Sequence, residues 1–178
     1  MRNPLNDMLL DWHLWFKNAY EIWPRHQKKQ YDPNKNNLVI VRNDYEPIYN
    51  GWDIVARPGT PVYAVADGEL NTGINDPDFG TWINIRFKHN GQTYNAFYGH
   101  LKLALVRNCS ITEGTIIAYT GTTGNAQLKT CEDAHLHFEI TKEYPGSGIA
   151  KHIDPEDIFD CGIYELEKGQ RRPFDFDY

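Results

Sequence analysis

The chain has 178 residues, of which 40% are hydrophobic and 13% aromatic, so it can bury the core of one ordinary domain and carry a short appendage. No apolar run approaches the roughly 18 residues of a transmembrane helix. The formal net charge of −6 offers no basic surface for a phosphate backbone, which argues against a nucleic acid as the main partner.

The first part of the chain predicts an amphipathic helix over residues 5 to 23. Apolar side chains recur there at the i, i+3, i+4 and i+7 spacing of a helix, and Pro24 ends the pattern. The apolar face is wide, so the helix is expected to pack on the domain or to dock on another protein. Neither a continuous apolar stretch nor a small-residue cleavage site follows Met1, so we expect no secretion signal peptide.

A polar connector is predicted next, over residues 27 to 37, with turn chemistry where Pro33 follows Asp32. It divides the chain into an N-terminal part, residues 1–37, and a domain, residues 38–160. A charged tail, residues 161–178, follows the domain and is expected to be either docked or disordered.

Within the domain, short runs of β-branched and aromatic residues alternate with Gly, Pro and Asn. This pattern predicts a mainly β fold of antiparallel strands. Asn90 and Gly91 form the clearest hairpin turn between two such runs. The predicted strands are 38–41, 52–57, 61–65, 68–74, 81–88, 93–100, 115–120 and 134–141, and a short turn or helix at 152–159 closes the domain.

Three cysteines, Cys109, Cys131 and Cys161, lie at no zinc-finger spacing. Their number fits one disulfide with a free thiol, or three free thiols. They therefore indicate no particular redox compartment.

The segment His135-Leu136-His137 is the strongest chemical signal in the chain. In a strand the two His side chains share one face, where one imidazole can bind a metal while its neighbour moves a proton. A half-exposed strand that happens to carry two His explains the same pattern. Glu139 falls on that face as well, either turned to solvent or holding one imidazole in a fixed tautomer.

Two further segments offer metal or proton chemistry near predicted strand ends, around Asp53 and around His100. A catalytic zinc takes about three nitrogen or oxygen ligands and keeps one position open for water. Asp53 and His137 suit the role of ligands, which leaves His100 and His135 for proton transfer and oxyanion stabilisation. No nucleophile elbow, P-loop or dinucleotide-binding fingerprint is present to favour other chemistry.

From residue 49 to about residue 158 the chain resembles a lysostaphin-like (LytM) zinc metallopeptidase domain. The matching segments, in order along the chain, are 50–64, 66–68, 98–101, 121–126, 135–140 and 153–155. The resemblance implies a compact antiparallel β-sandwich or roll with a zinc ion in a groove between loops. It also implies endopeptidase cleavage of the short peptides that cross-link bacterial peptidoglycan.

Carried across residue by residue, the resemblance makes Asp53 and His137 zinc ligands and makes His100 and His135 catalytic. The chain departs from the family at the first ligand, where Tyr49 replaces His. A phenol has a pKa near 10, so its ionisation at neutral pH costs about 4 kcal/mol before zinc offsets that cost. Tyr49 could bind zinc as a third ligand, leave a weaker site completed by water, or leave no metal site.

Two functions follow from these alternatives. The first is a zinc-dependent endopeptidase acting on bacterial peptidoglycan in the periplasm or at the cell surface. The second is a catalytically inactive LytM-like module that binds cell wall or a partner hydrolase, or a structural component of a secretion or tail assembly. Because no signal peptide is expected, delivery by a phage tail, by a contractile injection machine or by lysis is the corresponding hypothesis.

Overall fold

The computed structural model describes residues 1–10, 29–32, 37–40, 51–128, 134–142, 152–153, 155–158 and 164–165. Thirteen strands lie within these ranges: β1 (Leu9–Leu10), β2 (Lys29–Asp32), β3 (Asn37–Ile40), β4 (Trp52–Val55), β5 (Pro61–Tyr63), β6 (Gly68–Asp76), β7 (Gly80–His89), β8 (Gln92–Ala104), β9 (Cys109–Ile111), β10 (Ile116–Thr120), β11 (His135–Thr141), β12 (His152–Ile153) and β13 (Tyr164–Glu165). Two short 3₁₀ helices cover Gly124–Leu128 and Pro155–Asp157. The mainly β fold is therefore confirmed.

Eleven of the described strands form one sheet, whose main path runs β13-β1-β4-β11-β8-β7-β6-β9. Strands β5 and β10 form a branch on β8, and β12 pairs with β11. All of these pairs are antiparallel except the short pair of β1 with β13. Strand β11 consequently lies between β4 and β8, in the middle of the sheet.

The hairpin predicted at Asn90 and Gly91 is confirmed. Both residues have positive φ, 49° and 76°, and His89 pairs with Gln92 across the turn. Two successive residues of positive φ match the twist of the flanking strands and give a tight two-residue connection. This turn sets the register of β7 against β8, the longest strands of the sheet.

The hydrophobic core lies against the apolar faces of the central strands. Its largest fully buried members are Trp52, Tyr98 and Phe138, which come from β4, β8 and β11 respectively. The Tyr98 hydroxyl oxygen accepts a hydrogen bond from the backbone N–H of Val65, 3.1 Å away, and burial raises the pKa of the phenol. The core thus holds together the three strands that also carry the candidate site residues.

The helix predicted over residues 5 to 23 does not begin at Leu5. Residues 4–7 form bends and β1 follows, whereas residues 11–23 lie outside the described residues. Leu5 and Met8 are buried in the core, so their helical spacing reflects burial and not helical periodicity. Backbone hydrogen bonds join this segment to the domain, because the Arg2 N–H donates to the Val65 carbonyl and the Pro4 carbonyl accepts from the Tyr63 N–H. Pairing with the sheet overrode the local pattern.

The polar connector predicted over residues 27 to 37 also differs from the structure. Strands β2 and β3 flank the predicted turn and pair with each other from Lys29 with Ile40 to Asp32 with Asn37. The strand predicted at 38–41 corresponds to β3, whereas β2 was not predicted, and the predicted turn at Pro33 lies outside the described residues. Position 37, the predicted end of the N-terminal part, is the first residue of β3.

Strand β9 and the closing segment at 152–158 also differ from the predictions. Strand β9 was not predicted, and it carries Cys109, a half-buried free thiol; Cys131 and Cys161 lie outside the described residues. In the closing segment, β12 precedes the 3₁₀ helix at Pro155–Asp157. The prediction of a short turn or helix there is confirmed only for its second half.

Candidate active site

The sheet brings Asp53, His100, His135 and His137 together, although up to 84 residues separate them in the chain. In the register of β11, His137 lies opposite Asp53 of β4 on one side and opposite Gly99 of β8 on the other. Side chains of directly opposed residues lie on the same face, about 5 Å apart. Three neighbouring strands therefore supply one polar cluster.

A β-bulge in β8 turns His100 toward this cluster. Thr81 pairs with Leu101 and Ile83 with Tyr98, so β7 has one residue between these pairs where β8 has two. His100 adopts the left-handed conformation with φ of 60°, which is uncommon for a residue other than Gly. Its ring centroid lies 4.9 Å from that of His135 and 6.0 Å from that of His137.

His137 is held between two carboxylates. Its Nδ1 lies 2.8 Å from Oδ1 of Asp53, and its Nε2 lies 2.8 Å from Oε1 of Glu139. All three side chains are buried, with at most 5% of each residue exposed. Of the two placements expected for Glu139, exposure to solvent is therefore wrong. The other, contact with an imidazole, is the one that the structure shows.

These contacts determine the protonation states of His137 and Asp53. Burial alone would lower the pKa of His137, but its hydrogen bonds to Asp53 and Glu139 raise that pKa to about 10. Burial alone would raise the pKa of Asp53, but the neighbouring charge of His135 and the hydrogen bond from His137 hold it below its ordinary value. In the metal-free chain, a protonated His137 donates to both carboxylates.

His100 has a different environment. The ring Nδ1 of His100 lies 2.9 Å from the backbone oxygen of Thr123, and the backbone N–H of His100 donates to the backbone oxygen of Phe79, 2.8 Å away. Burial, followed by the positive charge of His135 and His137, lowers the pKa of His100 to about 4. His100 is thus a neutral imidazole at neutral pH, which is the protonation state of a general base.

Phe79 is a residue of this site that the sequence reasoning missed. Its ring centroid lies 5.2 Å from that of His137, 6.3 Å from that of His100 and 4.9 Å from that of Phe97, with which it forms a T-shaped pair. It lies in the turn between β6 and β7, a segment that fell between two predicted strands and received no role from the sequence. An aromatic residue inside a polar turn was the available signal.

The donors present fit a zinc ion in kind. Zinc binds carboxylate oxygen and neutral imidazole nitrogen. Asp53 offers the first and His137 the second, and Oδ1 of Asp53 lies 2.8 Å from Nδ1 of His137. Glu139 can accept the Nε2–H of a neutral His137, which leaves the Nδ1 lone pair directed toward Asp53. No set of three or more His, Cys, Asp or Glu arranged around a metal occurs among the described residues, and Tyr49 lies outside them.

A comparison with known protein families matches residues 47–155 to the family described as Peptidase family M23. The chain belongs to peptidase family M23. The match contains all four clustered residues, Asp53, His100, His135 and His137. The lysostaphin-like resemblance expected from the sequence is thereby confirmed.

Individual relatives of this M23 chain agree with the family. It is 31% identical over 127 residues to the peptidoglycan DD-endopeptidase ShyA of Vibrio cholerae, a match that covers 68% of this chain and 27% of that protein. It is 29% identical over 92 residues to the DD-carboxypeptidase/endopeptidase Mpg of Neisseria meningitidis, covering 52% and 20%. The chain therefore spans about a quarter or less of the length of these relatives.

Among solved structures, the catalytic domain of the antimicrobial peptidase lysostaphin from Staphylococcus simulans superposes with a TM-score of 0.51 at 24% identity. The match covers 76% of this M23 chain and 93% of that domain. This similarity confirms the predicted lysostaphin-type fold. Within the described residues, no helix has the length and apolar character needed to cross a membrane.

Proposed function

We propose that this chain is a zinc-dependent endopeptidase that cleaves the peptide cross-links of bacterial peptidoglycan. The observation that carries the proposal is the arrangement around His137, whose two nitrogens lie against Asp53 and Glu139 at 2.8 Å each. A buried imidazole held on one side by a carboxylate is the usual arrangement of a metal-binding His. His100 and His135 lie beside it in positions suited to proton transfer.

Asp53, His137 and Tyr49 would hold the zinc, with Tyr49 as the third ligand in place of the usual His. A zinc ion bound there supplies a Lewis acid that polarises the scissile carbonyl and lowers the pKa of bound water to about 7. Glu139 keeps the proton of His137 on Nε2, so that Nδ1 can act as a ligand. The carboxylate also raises the basicity of that nitrogen.

His100 and His135 would carry the protons of the reaction. Since the lowered pKa of His100 keeps its imidazole neutral, this ring can accept a proton from the attacking water and pass it to the leaving amine. His135 lies 4.9 Å from His100 between ring centroids and can donate a hydrogen bond to the developing oxyanion. Both are buried, so water competes little with these bonds.

The substrate class rests on the relatives. The Vibrio protein is named for peptidoglycan endopeptidase activity, and this chain matches 27% of its length. We extend that substrate to this chain and place its action in the periplasm or at the cell surface, where peptidoglycan lies. Delivery by a phage tail, a contractile injection machine or lysis, and a protein partner for residues 5 to 23, stay predictions.

Zinc content and hydrolysis, measured on the same preparations, test the proposal. The full chain, purified without added metal, should hold about one zinc by elemental analysis and should release peptides from purified peptidoglycan. Asp53→Ala and His137→Ala should lose both properties. His89→Ala and Asp157→Ala, matched substitutions at the β7–β8 hairpin and in the last 3₁₀ helix, should retain both.

Tyr49 needs its own variants. If the phenol oxygen binds zinc, Tyr49→Phe should weaken zinc affinity and Tyr49→His should strengthen it. Equal affinity in all three proteins would remove Tyr49 from the ligand set. A wild-type chain that holds no zinc after equilibration with zinc would contradict the enzyme and favour the inactive module that binds cell wall or a partner hydrolase.

A further inference from the structure

The hydroxyl of Thr123 is inserted between two strands at the bulge that carries His100. Its Oγ1 accepts a hydrogen bond from the backbone N–H of Thr81 in β7 and donates one to the backbone oxygen of Leu101 in β8, each at 2.9 Å. Thr81 and Leu101 are the register pair that ends the bulge. A hydroxyl can donate and accept together, so it bridges the two strands where the ladder is interrupted.

The backbone oxygen of the same residue lies 2.9 Å from Nδ1 of His100. A carbonyl oxygen can only accept a hydrogen bond, so this contact requires the proton of the imidazole to be on Nδ1. In the neutral ring, Nε2 then carries the lone pair. Thr123 therefore contacts both the backbone around His100, through its hydroxyl, and the ring itself, through its carbonyl.

The loop that carries Thr123 packs closely against the turn that precedes β7. Gly80 and Gly124 both have φ of 68°, and a Cβ on either would lie within 2.4 Å of the opposite loop's backbone. Asn125 N–H donates to the backbone oxygen of Asp78, 2.9 Å away. Because the loops approach this closely, Thr123 cannot shift without moving the turn that also bonds the N–H of His100.

We propose that Thr123 is a positioning residue that fixes the Nδ1–H tautomer and the orientation of His100, and so directs Nε2 toward the substrate. The proposal rests on the proposed endopeptidase function for its catalytic consequence. Thr123 does not touch the reacting atoms; it acts through His100. The hydroxyl is the part of the residue that a substitution can remove while the carbonyl remains.

Thr123→Val and Thr123→Ser separate the hydroxyl from the size of the side chain. With the zinc-loaded 178-residue chain and a purified cross-linked muropeptide, Thr123→Val should lower kcat at least about tenfold and change KM less than about twofold. Thr123→Ser keeps the hydroxyl and should recover most of the loss. Thr120→Val is the matched control, because Oγ1 of Thr120 likewise accepts from a backbone N–H, of Thr60, and donates to a backbone oxygen, of Arg57.

The ¹⁵N spectrum of the histidine rings reads the tautomer directly, without zinc or substrate. The signals of His100 are assigned by their loss in His100→Gln. At neutral pH the wild type and Thr120→Val should show a proton on Nδ1, and Thr123→Val should show an increased share of the Nε2–H form. The wild-type spectrum tests the proton position even where Thr123→Val folds poorly.

Each result decides the inference. A wild-type spectrum with the proton of His100 on Nε2 would overturn it, as would a loss of kcat in Thr120→Val equal to that in Thr123→Val. Failure of Thr123→Ser to restore kcat would also contradict it. A wild-type chain that cleaves nothing would refute the proposed function instead, and the spectrum would still decide whether Thr123 sets the tautomer.

Discussion

The two faces of β11 are equally buried and chemically opposite. Leu136, Phe138 and Ile140 on one face have no exposed surface, and His135 and His137 on the other are at most 6% exposed. A solvated polar face would be open to water, whereas a buried one must find partners for each ionisable group. Burial on both faces therefore rules out the half-exposed amphipathic strand that was the alternative explanation of the two His residues.

The two faces are also held by different forces. The apolar face joins the hydrophobic core, where attraction is non-directional and spread over many contacts. The polar face depends on a few directed bonds, such as those of His137 to Asp53 and Glu139. Substitutions on the apolar face should therefore change stability, and substitutions on the polar face should change zinc binding or turnover.

The largest effect is expected from His135→Ala on the polar face. A positioned acid or base contributes about 10²- to 10⁴-fold to rate, so kcat for peptidoglycan hydrolysis should fall by that factor while zinc content stays near one per chain. Hydrolysis assays and elemental analysis on the same preparation measure both. Loss of zinc in this variant would make His135 a ligand and would break the proposed division of roles.

Leu136→Ala, on the apolar face, should lower stability and leave turnover unchanged. Removing a fully buried Leu costs about 2–5 kcal/mol of unfolding free energy, because it leaves a cavity as well as losing burial. Urea unfolding measures this cost, and the folded fraction should keep its zinc and kcat. Ile74→Ala, at a side chain that is 57% exposed, should change stability by less than about 0.5 kcal/mol.

The pH dependence of stability should distinguish the metal-free from the zinc-loaded chain. The pKa of His137 rises from 6.5 unfolded to about 10 folded, so its contribution is fully present below pH 6.5 and is lost as pH rises toward 10. The lowered pKa of Asp53 adds stability above about pH 3.8 that is lost as pH falls further. The metal-free protein should therefore be most stable between about pH 3.8 and pH 6.5, where both contributions are present, and the gain in unfolding free energy should be a few kcal/mol at most.

Thermal unfolding across pH, with and without a chelator, measures this dependence. With zinc bound, stability should rise with pH in the alkaline range where the metal-free chain loses it, because zinc binds the neutral form of His137 and so competes with protons. His137→Asn, which cannot titrate, should lose the alkaline decline in the metal-free state. A decline of the same size in that variant would assign it to another group.

The smallest effect is expected from Glu139→Gln. The amide oxygen can still accept the Nε2–H of His137 but lacks the charge that raises its basicity, so zinc affinity should fall about 10- to 100-fold. Competition with a chelator of known affinity measures the change. Glu69→Gln, at an exposed carboxylate that accepts a bond from Ser110, should leave the affinity unchanged. Equal losses in both variants would assign the effect to net charge.

Much of the β structure could be predicted from the sequence, because its signals are local. The Asn90-Gly91 turn was recognised from the need for two positive φ angles, and most strands between residues 52 and 141 from their β-branched and aromatic runs. Errors occurred where pairing with distant strands overrode a local pattern. Leu5 and Met8 have helical spacing but are buried in a segment of bends that leads into β1, and β9 is only three residues long.

For the site, the sequence identified the residue types but not their partners. Asp53, His100, His135 and His137 were grouped by their chemistry near predicted strand ends and then by the family's motifs, and the sheet brings the four together. Glu139 was left between two placements, since alternation gives a face but does not say what covers it. Phe79 was missed, because its contact with His137 depends on a turn that is distant in the chain.

By itself, the sequence determined the β-rich class, the tight hairpin and the identity of the polar residues on β11, because turn chemistry and alternation act between near neighbours. Only the tertiary structure decided that this polar face is buried, that a bulge turns His100 toward His135, and that Thr123 holds its ring. Those features depend on the register between strands far apart in the chain, which no local propensity encodes.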